Sequence, residues 1–572
     1  MHSKKYLFIS LFWVSGLLAC PWGLMDRGFF MGNGEESDKD KDSSLQKAEN
    51  PPNWGIIDGL ADLNTTLNGV GVNAEGHIVL DRSSSNVAHY MWLADDSGSM
   101  VSKFNVETGK EEARYRSLIN IQWKEDQTPD DNNCTPFEIR GTYHAPSRTA
   151  IDADGNAWVG NRGFGGLNSV TKIAGDKSFC VDRNGNGHIE TSADLDGSGA
   201  IEPEEVLPLG NDECLLFTTP VCGGYAGARA LAIDDAGDAW VGCFSDQTAY
   251  QLDSQNGRIK RGPIPLGMSP YGAIVDGRQN VWFVYGGQLQ GVNTQTGEVL
   301  SKNAAGAPTP VANSSGCSAY SLAVDAQSRV WLSYGCFYNH YAAETESKWQ
   351  RCNLNGIGGL GIAVDAKNNV YTSTGAALTS FHWDDKTNTC TPNTINRTGT
   401  GAENRVEVGV YGIGVGFDTK GNPWTVRGTQ AARLDLKTGE VFRTTPARGH
   451  SPSYYTYSDF TGFQHRNFTA RRGVYRRIIE GCALYSAWKT LSWEAELPEG
   501  TQLIVSVRVA NTREELSSAK RHLLEASPAD LSEIPKSSFM QVEFILESDA
   551  KRQSSPILRG YAVEWACEQP IG

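Results

Sequence analysis

A short motif recurs along the middle of this 572-residue chain and constrains its fold more than any other feature. In each copy an apolar stretch ends in aspartate, a turn follows, and an aromatic residue comes six positions after the aspartate. The copies run from Asp152 to Trp158, Asp234 to Trp240, Asp276 to Trp282, Asp325 to Trp331, Asp365 to Tyr371 and Asp418 to Trp424. A degenerate first copy runs from Asn73 to Trp92. Recurrence at roughly forty residues predicts a repeat architecture.

A second turn follows several of these aromatic residues and contains a glycine, at Gly109, Gly257, Gly297 and Gly439. Each unit is therefore predicted to be a meander of about four strands, which is the size of a β-propeller blade. Counting the units predicts an all-β fold with a seven-bladed β-propeller over residues 53–466. Six or eight blades are the alternatives, because the first copy is irregular and closure can borrow a strand from each end. The aspartates are interpreted as turn residues and the repeated tryptophans as core between blades.

The one large break in the repeat, between Trp158 and Trp240, contains an insertion at residues 180–214 with a calcium-loop pattern. Calcium prefers six to eight oxygen ligands, and a twelve-residue loop supplies them from alternate positions around a central glycine, here Gly199. The predicted ligands of this loop are Asp194, Asp196, Ser198, the Ala200 carbonyl, Glu202 and Glu205.

A weaker copy of the loop precedes it, with Ala193 at its last ligand position. Its predicted ligands are Asp182, Asn184, Asn186, the His188 carbonyl and Glu190. Because the two loops begin twelve residues apart, no helix fits between them as it does between ordinary EF-hands. The pair resembles a tandem thrombospondin type 3-like calcium hairpin, in which Asp194 would serve both loops. The alternative for each loop is a solvated acidic turn without metal.

The N-terminus has the pattern of a secretion signal, with Lys4 and Lys5 before an apolar run that ends at Ala19. Residues 17–20, Leu-Leu-Ala-Cys, resemble the lipobox of bacterial lipoproteins, which implies cleavage before Cys20 and lipidation of its thiol. The larger Leu18 leaves an ordinary secretion signal as the alternative. Residues 20–52 are polar and predict a disordered tether. By family analogy, the absence of aspartate after Cys20 implies a bacterial outer-membrane location.

Charge and cysteine content agree with an exported protein. The formal charge is −15, which disfavours nucleic-acid binding. The cysteines after Cys20 show no zinc-site spacing, so we expect disulfides. Nearness within one repeat favours pairs Cys180–Cys214, Cys222–Cys243, Cys317–Cys336, Cys352–Cys390 and Cys482–Cys567, with Cys134 left over.

The C-terminal segment, residues 467–572, changes character. Apolar and polar residues alternate over 503–509, 539–546 and 557–565, between turns rich in Pro and Gly. This period of two predicts an antiparallel β-sandwich, with a short helical excursion near residues 514–524. A carbohydrate-binding role for it would rest on fold analogy alone.

Over residues 60–460 the repeats resemble the propeller of streptogramin (virginiamycin B) lyases. In those lyases the second strand commonly reads Trp-Phe-Thr-Glu, and glutamates and a histidine hold magnesium and move a proton. The corresponding stretches here begin at Trp158, Trp240, Trp282, Trp331, Tyr371 and Trp424, and none carries the glutamate. The resemblance therefore implies the fold, and no catalytic residue is carried over.

Taken together, these features predict an exported, lipid-anchored, calcium-binding surface protein. Its propeller would act as a binding, adhesion or scaffold module for an unidentified polysaccharide or protein, with the membrane reached only through the N-terminal lipid. The alternative is a lyase or hydrolase at the propeller mouth, where His144, His340 and His450 are placed by the repeat. Histidines clustered with carboxylates around the channel would favour the enzyme, whereas a rim of exposed aromatic residues would favour binding.

Overall fold

The computed structural model is all-β, as the repeat predicts. Its described helical turns include the 3₁₀ turns Lys177–Phe179, Pro203–Glu205 and Glu515–Ser517. Among the described residues, no helix has the length and apolarity needed to cross a bilayer. The structure describes residues 45–50, 65–80, 89–123, 134–136, 143–198, 201–225, 227–312, 318–342, 348–354, 358–397, 401–444, 451–465, 472–482, 485–513, 515–517, 519–549 and 554–567.

The first strands precede a series of antiparallel meanders. They are β1 (Leu45–Asn50), β2 (Thr65–Asn68), β3 (Val70–Val72) and β4 (Ile78–Leu80). The first sheet of the series has three strands, β5 (Tyr90–Asp95), β6 (Met100–Asn105) and β7 (Glu111–Arg116), and is followed by the pair β8 (Ile121–Trp123) and β9 (Cys134–Pro136). The second sheet comprises β10 (Pro146–Ile151), β11 (Ala157–Asn161), β12 (Ser169–Ile173) and β13 (Leu215–Pro220).

The same meander recurs in the third, fourth and fifth sheets. The third comprises β14 (Ala228–Ile233), β15 (Ala239–Cys243), β16 (Thr248–Leu252) and β17 (Ile259–Pro265). The fourth comprises β18 (Gly272–Val275), β19 (Asn280–Tyr285), β20 (Gln288–Asn293) and β21 (Val311–Ala312). The fifth comprises β22 (Leu322–Val324), β23 (Val330–Leu332), β24 (Cys336–Tyr338) and β25 (Trp349–Arg351).

Two further sheets complete the series. The sixth comprises β26 (Ile362–Val364), β27 (Asn369–Thr374), β28 (Ala377–Asp384) and β29 (Thr389–Pro392). It is followed by the two-stranded pair β30 (Ile395–Arg397) and β31 (Gly401–Glu403). The next strand, β32 (Arg405–Glu407), pairs with β28. The seventh comprises β33 (Gly414–Phe417), β34 (Pro423–Arg427), β35 (Gln430–Leu434) and β36 (Val441–Arg443).

Neighbouring sheets of the series pack against one another in chain order. The strands β10, β14, β18, β22, β26 and β33, each the first of its sheet, contact one another in succession. The seventh sheet returns to the first, because Trp424 and Val426 share a buried cluster with Met91 and Leu93. Consecutive meanders packed in this way are the construction of a β-propeller.

The repeated aspartate explains why the motif has its fixed spacing. One oxygen of Asp276, Oδ1, accepts the backbone N–H groups of Arg278 and Asn280 at 2.8 and 3.0 Å and so closes the turn. The other, Oδ2, accepts the indole N–H of Trp282 at 2.9 Å. The same carboxylate–indole bond joins Asp234 to Trp240 and Asp325 to Trp331. The interpretation of these residues as turn and core is confirmed, since the tryptophans are buried between sheets.

Residues 453–465, here called the axial segment, close the propeller. The carbonyl of Phe460 accepts the N–H of Trp92 at 3.0 Å, so the segment pairs beside β5 where the first sheet lacks an inner strand. Ser458 Oγ accepts the N–H of Thr149 in β10. Ser321, beside β22, and Phe417, in β33, also donate to the segment. Because these strands lie on different sides of the series, the segment occupies its axis.

The C-terminal residues form two sheets that share one hydrophobic cluster. Their strands are β37 (Arg472–Glu480), β38 (Ser486–Glu496), β39 (Gln502–Ala510), β40 (His522–Leu524), β41 (Ala529–Asp530), β42 (Phe539–Glu547) and β43 (Ile557–Cys567). One sheet has the order β2-β37-β42-β39-β40, and the other contains β3, β4, β43, β38 and β41, with β1 also on β43.

The N-terminal strands therefore differ from the sequence prediction. β2 pairs with β37, β4 pairs with β43 and β3 pairs with β4, although residues 53–466 were assigned to the propeller. β1 pairs with β43 although it lies in the predicted tether 20–52. The turn at Asn73 is a hairpin turn as predicted, with Asn73 Oδ1 accepting the N–H of His77 at 2.8 Å. The prediction of its location is wrong because a hairpin turn does not determine which sheet its two strands join.

Four of the expected disulfides are present, namely Cys180–Cys214, Cys222–Cys243, Cys352–Cys390 and Cys482–Cys567. Cys317 and the side chain of Cys134 lie outside the described residues.

The third sheet departs from the turn chemistry of the others. Most copies have asparagine four residues after the aspartate, and its amide donates to that carboxylate, as Asn280 does to Asp276 at 3.1 Å. The third sheet has Asp238 there instead. Burial, together with the charge of Asp238, raises the pKa of Asp234 to about 7.

We expect Asp238→Asn to stabilise the protein at pH 8 and to change its stability little at pH 4. The folded Asp234 carboxyl keeps its proton up to about pH 7, whereas the unfolded carboxyl loses it near pH 4, so stability falls as pH rises through that window. Thermal melts across pH 4–8 measure the effect. The reverse change in the fourth sheet, Asn280→Asp, should create the same loss at pH 8. Equal shifts of Tm at both pH values for Asp238→Asn would contradict the argument.

Candidate functional site

The insertion between β12 and β13 is held at its base by covalent and polar contacts. The disulfide Cys180–Cys214 closes it, with the two Cα atoms 4.3 Å apart. Next to it, the Glu213 carboxylate accepts the backbone N–H of Arg183 at 2.7 Å and that of Glu190 at 3.0 Å. The first loop is therefore anchored at both its start and its end.

The second loop gathers its acidic side chains. Carboxylate oxygens of Asp194, Asp196 and Glu205 lie within 4.8 Å of one another. The backbone N–H of Ser198 donates to Asp194 Oδ1 at 2.9 Å and to Asp196 Oδ1 at 2.8 Å, which turns the chain around the acidic group. Desolvation and the neighbouring carboxylates of Glu205 and Asp196 raise the pKa of Glu202. Like charges held this close fit a divalent cation, which would relieve their repulsion.

Both oxygens of Glu205 are oriented by backbone. They accept the N–H groups of Leu195 at 2.6 Å and Glu202 at 2.9 Å, so the carboxylate at the last ligand position is fixed toward the loop. The predicted ligand Ala200 and the turn residue Gly199 lie outside the described residues. The remaining donor set is made of hard oxygens, which is what calcium prefers.

The first loop brings its predicted ligands together in a different way. Asp182 accepts the N–H groups of Gly185 and Gly187 at 2.8 Å each. The side-chain amides of Asn184 and Asn186 donate to Glu190 at 3.0 and 2.6 Å, and the N–H of His188 donates to Asn186 Oδ1 at 2.8 Å. Its polar side chains thus satisfy one another, and it has fewer carboxylates than the second loop.

Sequence reasoning missed two residues of the insertion. Besides Glu213, Asp212 Oδ2 accepts the N–H and hydroxyl of Ser192 at 2.9 and 2.7 Å, where the first loop passes into the second. Both carboxylates are buried. Their position next to Cys214 at the base of a polar insertion is a signal that could have identified them.

A rim of exposed tyrosines surrounds one end of the propeller, here called the mouth. At this end the first strand of each sheet, which is the innermost, begins and the second strand of each sheet ends. The side chains are exposed by 44% at Tyr143, 66% at Tyr225, 45% at Tyr285, 39% at Tyr334 and 61% at Tyr411. Exposed aromatic faces grouped at one end of a rigid scaffold are typical of a binding surface.

Beneath the rim, three tyrosine hydroxyls converge. The Tyr271 hydroxyl lies 2.9 Å from that of Tyr455 and 3.3 Å from that of Tyr320, and the Tyr320 and Tyr455 hydroxyls also contact each other. Tyr457 stacks on Tyr271 with ring centroids 5.3 Å apart. Tyr455 and Tyr457 come from the axial segment, so the aromatic cluster 454–460 closes the propeller and also forms the floor of the mouth.

The candidate histidines do not gather at the mouth. His144 lies there, and burial lowers its pKa. His340 instead lies at the opposite end, 5.1 Å from Trp282 between ring centroids, so its predicted mouth position is wrong. His450 lies outside the described residues. Within the described part of the chain, no two histidines meet carboxylates around the axis, whereas the aromatic rim is present.

Comparisons with known proteins concern only the fold. No known protein family matches the sequence, and no curated protein matches it. A streptogramin B lyase structure is 10% identical over 67% of this chain and 94% of its own, with a TM-score of 0.35. An inactive virginiamycin B lyase from Staphylococcus aureus with quinupristin is 10% identical over 76% and 95%, with a TM-score of 0.29. A functionally unknown protein from Desulfotomaculum acetoxidans is 10% identical over 66% and 100%, with a TM-score of 0.39.

If the second loop binds calcium, the metal should stabilise the fold by linkage. We expect the purified protein to melt at a higher temperature in calcium than in chelator or magnesium, because calcium binds the folded loop and not the unfolded chain. Asp194→Ala combined with Glu205→Ala should abolish the difference. Asp182→Ala, in the first loop, is the matched control and should leave most of it. An unchanged Tm in calcium would reduce the second loop to an acidic turn.

Proposed function

We propose that this is an exported, lipid-anchored, calcium-binding surface protein whose propeller binds a surface ligand at its mouth. In this proposal the seven sheets are seven blades, and the two C-terminal sheets are a β-sandwich. The lipid is carried by Cys20, and the ligand is a polysaccharide or protein of the cell envelope or its surroundings. The observation that carries the binding role is the rim of exposed tyrosines over the mouth.

The filled axis supports binding over catalysis. The axial segment occupies the channel in which a buried reaction centre would otherwise lie, and Tyr454, Thr456 and Phe460 are buried there. What remains at the mouth is a shallow aromatic surface. Tyrosine offers a large, rigid contact area with a polar tip, so it suits recognition of extended ligands.

The calcium insertion supports the proposal as a stiffening element. It contacts the first sheet, where Arg116 Nε donates to the Leu207 carbonyl at 3.3 Å. It also reaches the C-terminal sheets, where the Arg476 guanidinium lies 5.3 Å from the Phe179 ring. A metal in the insertion would therefore hold two parts of the chain together, and extracellular calcium sites commonly fill at about 10⁻⁴–10⁻³ M.

We expect rim substitutions to weaken ligand binding without unfolding the protein. Tyr225→Ala and Tyr411→Ala remove exposed rings, so Tm should change little, while each should cost about tenfold or less in affinity for extracted envelope polysaccharide. Glycan-array binding followed by titration measures this. Leu523→Ala, an exposed apolar residue of the C-terminal sheets, is the control. Unchanged binding in the double tyrosine variant would contradict a ligand role for the rim.

Lipid anchoring has its own test. In bacteria expressing the full chain, we expect the protein in the membrane fraction and labelled by a lipid precursor. Cys20→Ser should abolish labelling, because a thiol is required for acylation. Wild-type protein without label would favour an ordinary secretion signal instead, and so would processing that Cys20→Ser leaves unchanged.

A further inference from the structure

Two arginines at the mouth lack the partners that buried arginines normally have. Arg148, in β10, is 1% exposed, and its Nε and Nη1 have no hydrogen-bond partner; only Nη2 donates, to the Tyr271 carbonyl. Arg229, in β14, is partly exposed, and its Nε is likewise unpartnered. Among the described residues, neither forms an ion pair.

Three of the four other buried arginines of the described chain pair with carboxylates, and the fourth, Arg183, donates to three backbone carbonyls. Arg114 and Arg329 bind carboxylates at 2.6 Å, on Glu111 and Asp325. Arg162, also at the mouth, pairs with Asp96. A buried charge without a counter-ion is costly, so an unpaired one calls for a reason beyond packing. Within the part of the chain that the structure describes, Arg148 and Arg229 have no carboxylate partner, and the Nε atom of each has no acceptor.

Both guanidiniums lie on the same aromatic residue. The central carbon of Arg148 is 5.2 Å from the Tyr271 ring centroid, and that of Arg229 is 5.1 Å from it. Burial lowers the pKa of Arg148 to about 9, and the charge of Arg229 contributes in the same direction. Two like charges therefore face one region, next to the hydroxyls of Tyr320 and Tyr455.

We propose that Arg148, Arg229 and the three tyrosine hydroxyls bind the carboxylate or sulfate group of an acidic saccharide, whose sugar rings lie on the tyrosine rim. This rests on the proposed binding role of the mouth and specifies its ligand. An anion would supply the missing partner for both guanidiniums, and planar guanidinium groups match oxyanions in geometry. Partly exposed Arg229, with Tyr285 and Tyr225 nearby on the rim, provides the route from solvent.

The acidic balance of the protein makes the inference specific. At a formal charge of −15 the surface as a whole repels polyanions, so binding of an acidic saccharide would not be general electrostatic attraction. Charge-assisted hydrogen bonds are worth about 1.5–3 kcal/mol each, so loss of one arginine should cost about tenfold or more in affinity.

The test is calorimetric titration of the purified full chain, in calcium, with oligoglucuronate and with its methyl ester, which has the same rings without the charge. Dextran sulfate and dextran form the parallel sulfate arm. We expect the charged member of at least one pair to bind at least about tenfold more tightly, and Arg229→Gln and Arg148→Met to remove that preference. Arg559→Gln, an exposed arginine of the C-terminal sheets away from the mouth, is the control and should keep it.

Thermal melts of the same variants exclude a purely structural role. Replacing a buried, unpartnered charge with an apolar residue of similar length is often neutral or stabilising, so Arg148→Met should melt no lower than wild type. A lower Tm with an unchanged preference for the charged saccharide would overturn the inference. Equal binding of the charged and neutral saccharides would also overturn it, as would the absence of binding by either saccharide. If the neutral saccharides bind as tightly as the charged ones and the tyrosine variants abolish that binding, the proposed function stands while this inference falls.

Discussion

The turns of the second to fifth sheets each depend on one buried aspartate, which also binds the indole six residues later. One carboxylate closes the turn after the innermost strand and pairs a tryptophan N–H that would otherwise be buried without an acceptor. In the seventh sheet, Asp418 accepts from Asn422 and Arg433 instead, and the indole of Trp424 has no partner. The bond is thus complete in the central sheets and absent where the series closes.

Sequence reasoning succeeded where the determining contacts are local. The aspartate turns and the repeated tryptophans join residues close in the chain, and three of the described disulfides span only 34, 21 and 38 residues. It failed where partners are remote. Nothing local in Thr65–Asn68 signals pairing with β37, and nothing local in Arg148 signals that Tyr271 and Tyr457 will surround it. Calcium binding and lipidation remain predictions.

The C-terminal sheets and the mouth lie at opposite ends of the propeller. Arg472 of β37 pairs at 3.4 Å with Asp154, in the turn where the innermost strand of the second sheet ends. Burial would raise the pKa of Asp154, but Arg472 and Arg476 outweigh it and lower that pKa. β1 joins the same C-terminal sheets. A lipid on the N-terminal side would therefore place these sheets toward the membrane and leave the mouth facing outward.

The axial segment also sets the order in which the molecule can assemble. Ala94 donates its N–H to Thr456 Oγ1 across 362 residues of sequence, so the first sheet stays without an inner strand until almost the whole propeller has been made. Such remote pairing slows folding and leaves an exposed strand edge in the meantime. If the chain is exported as proposed, it would have to cross the membrane nearly to its end before the propeller could close. A partly made chain could not close the propeller, because it would still lack Thr456.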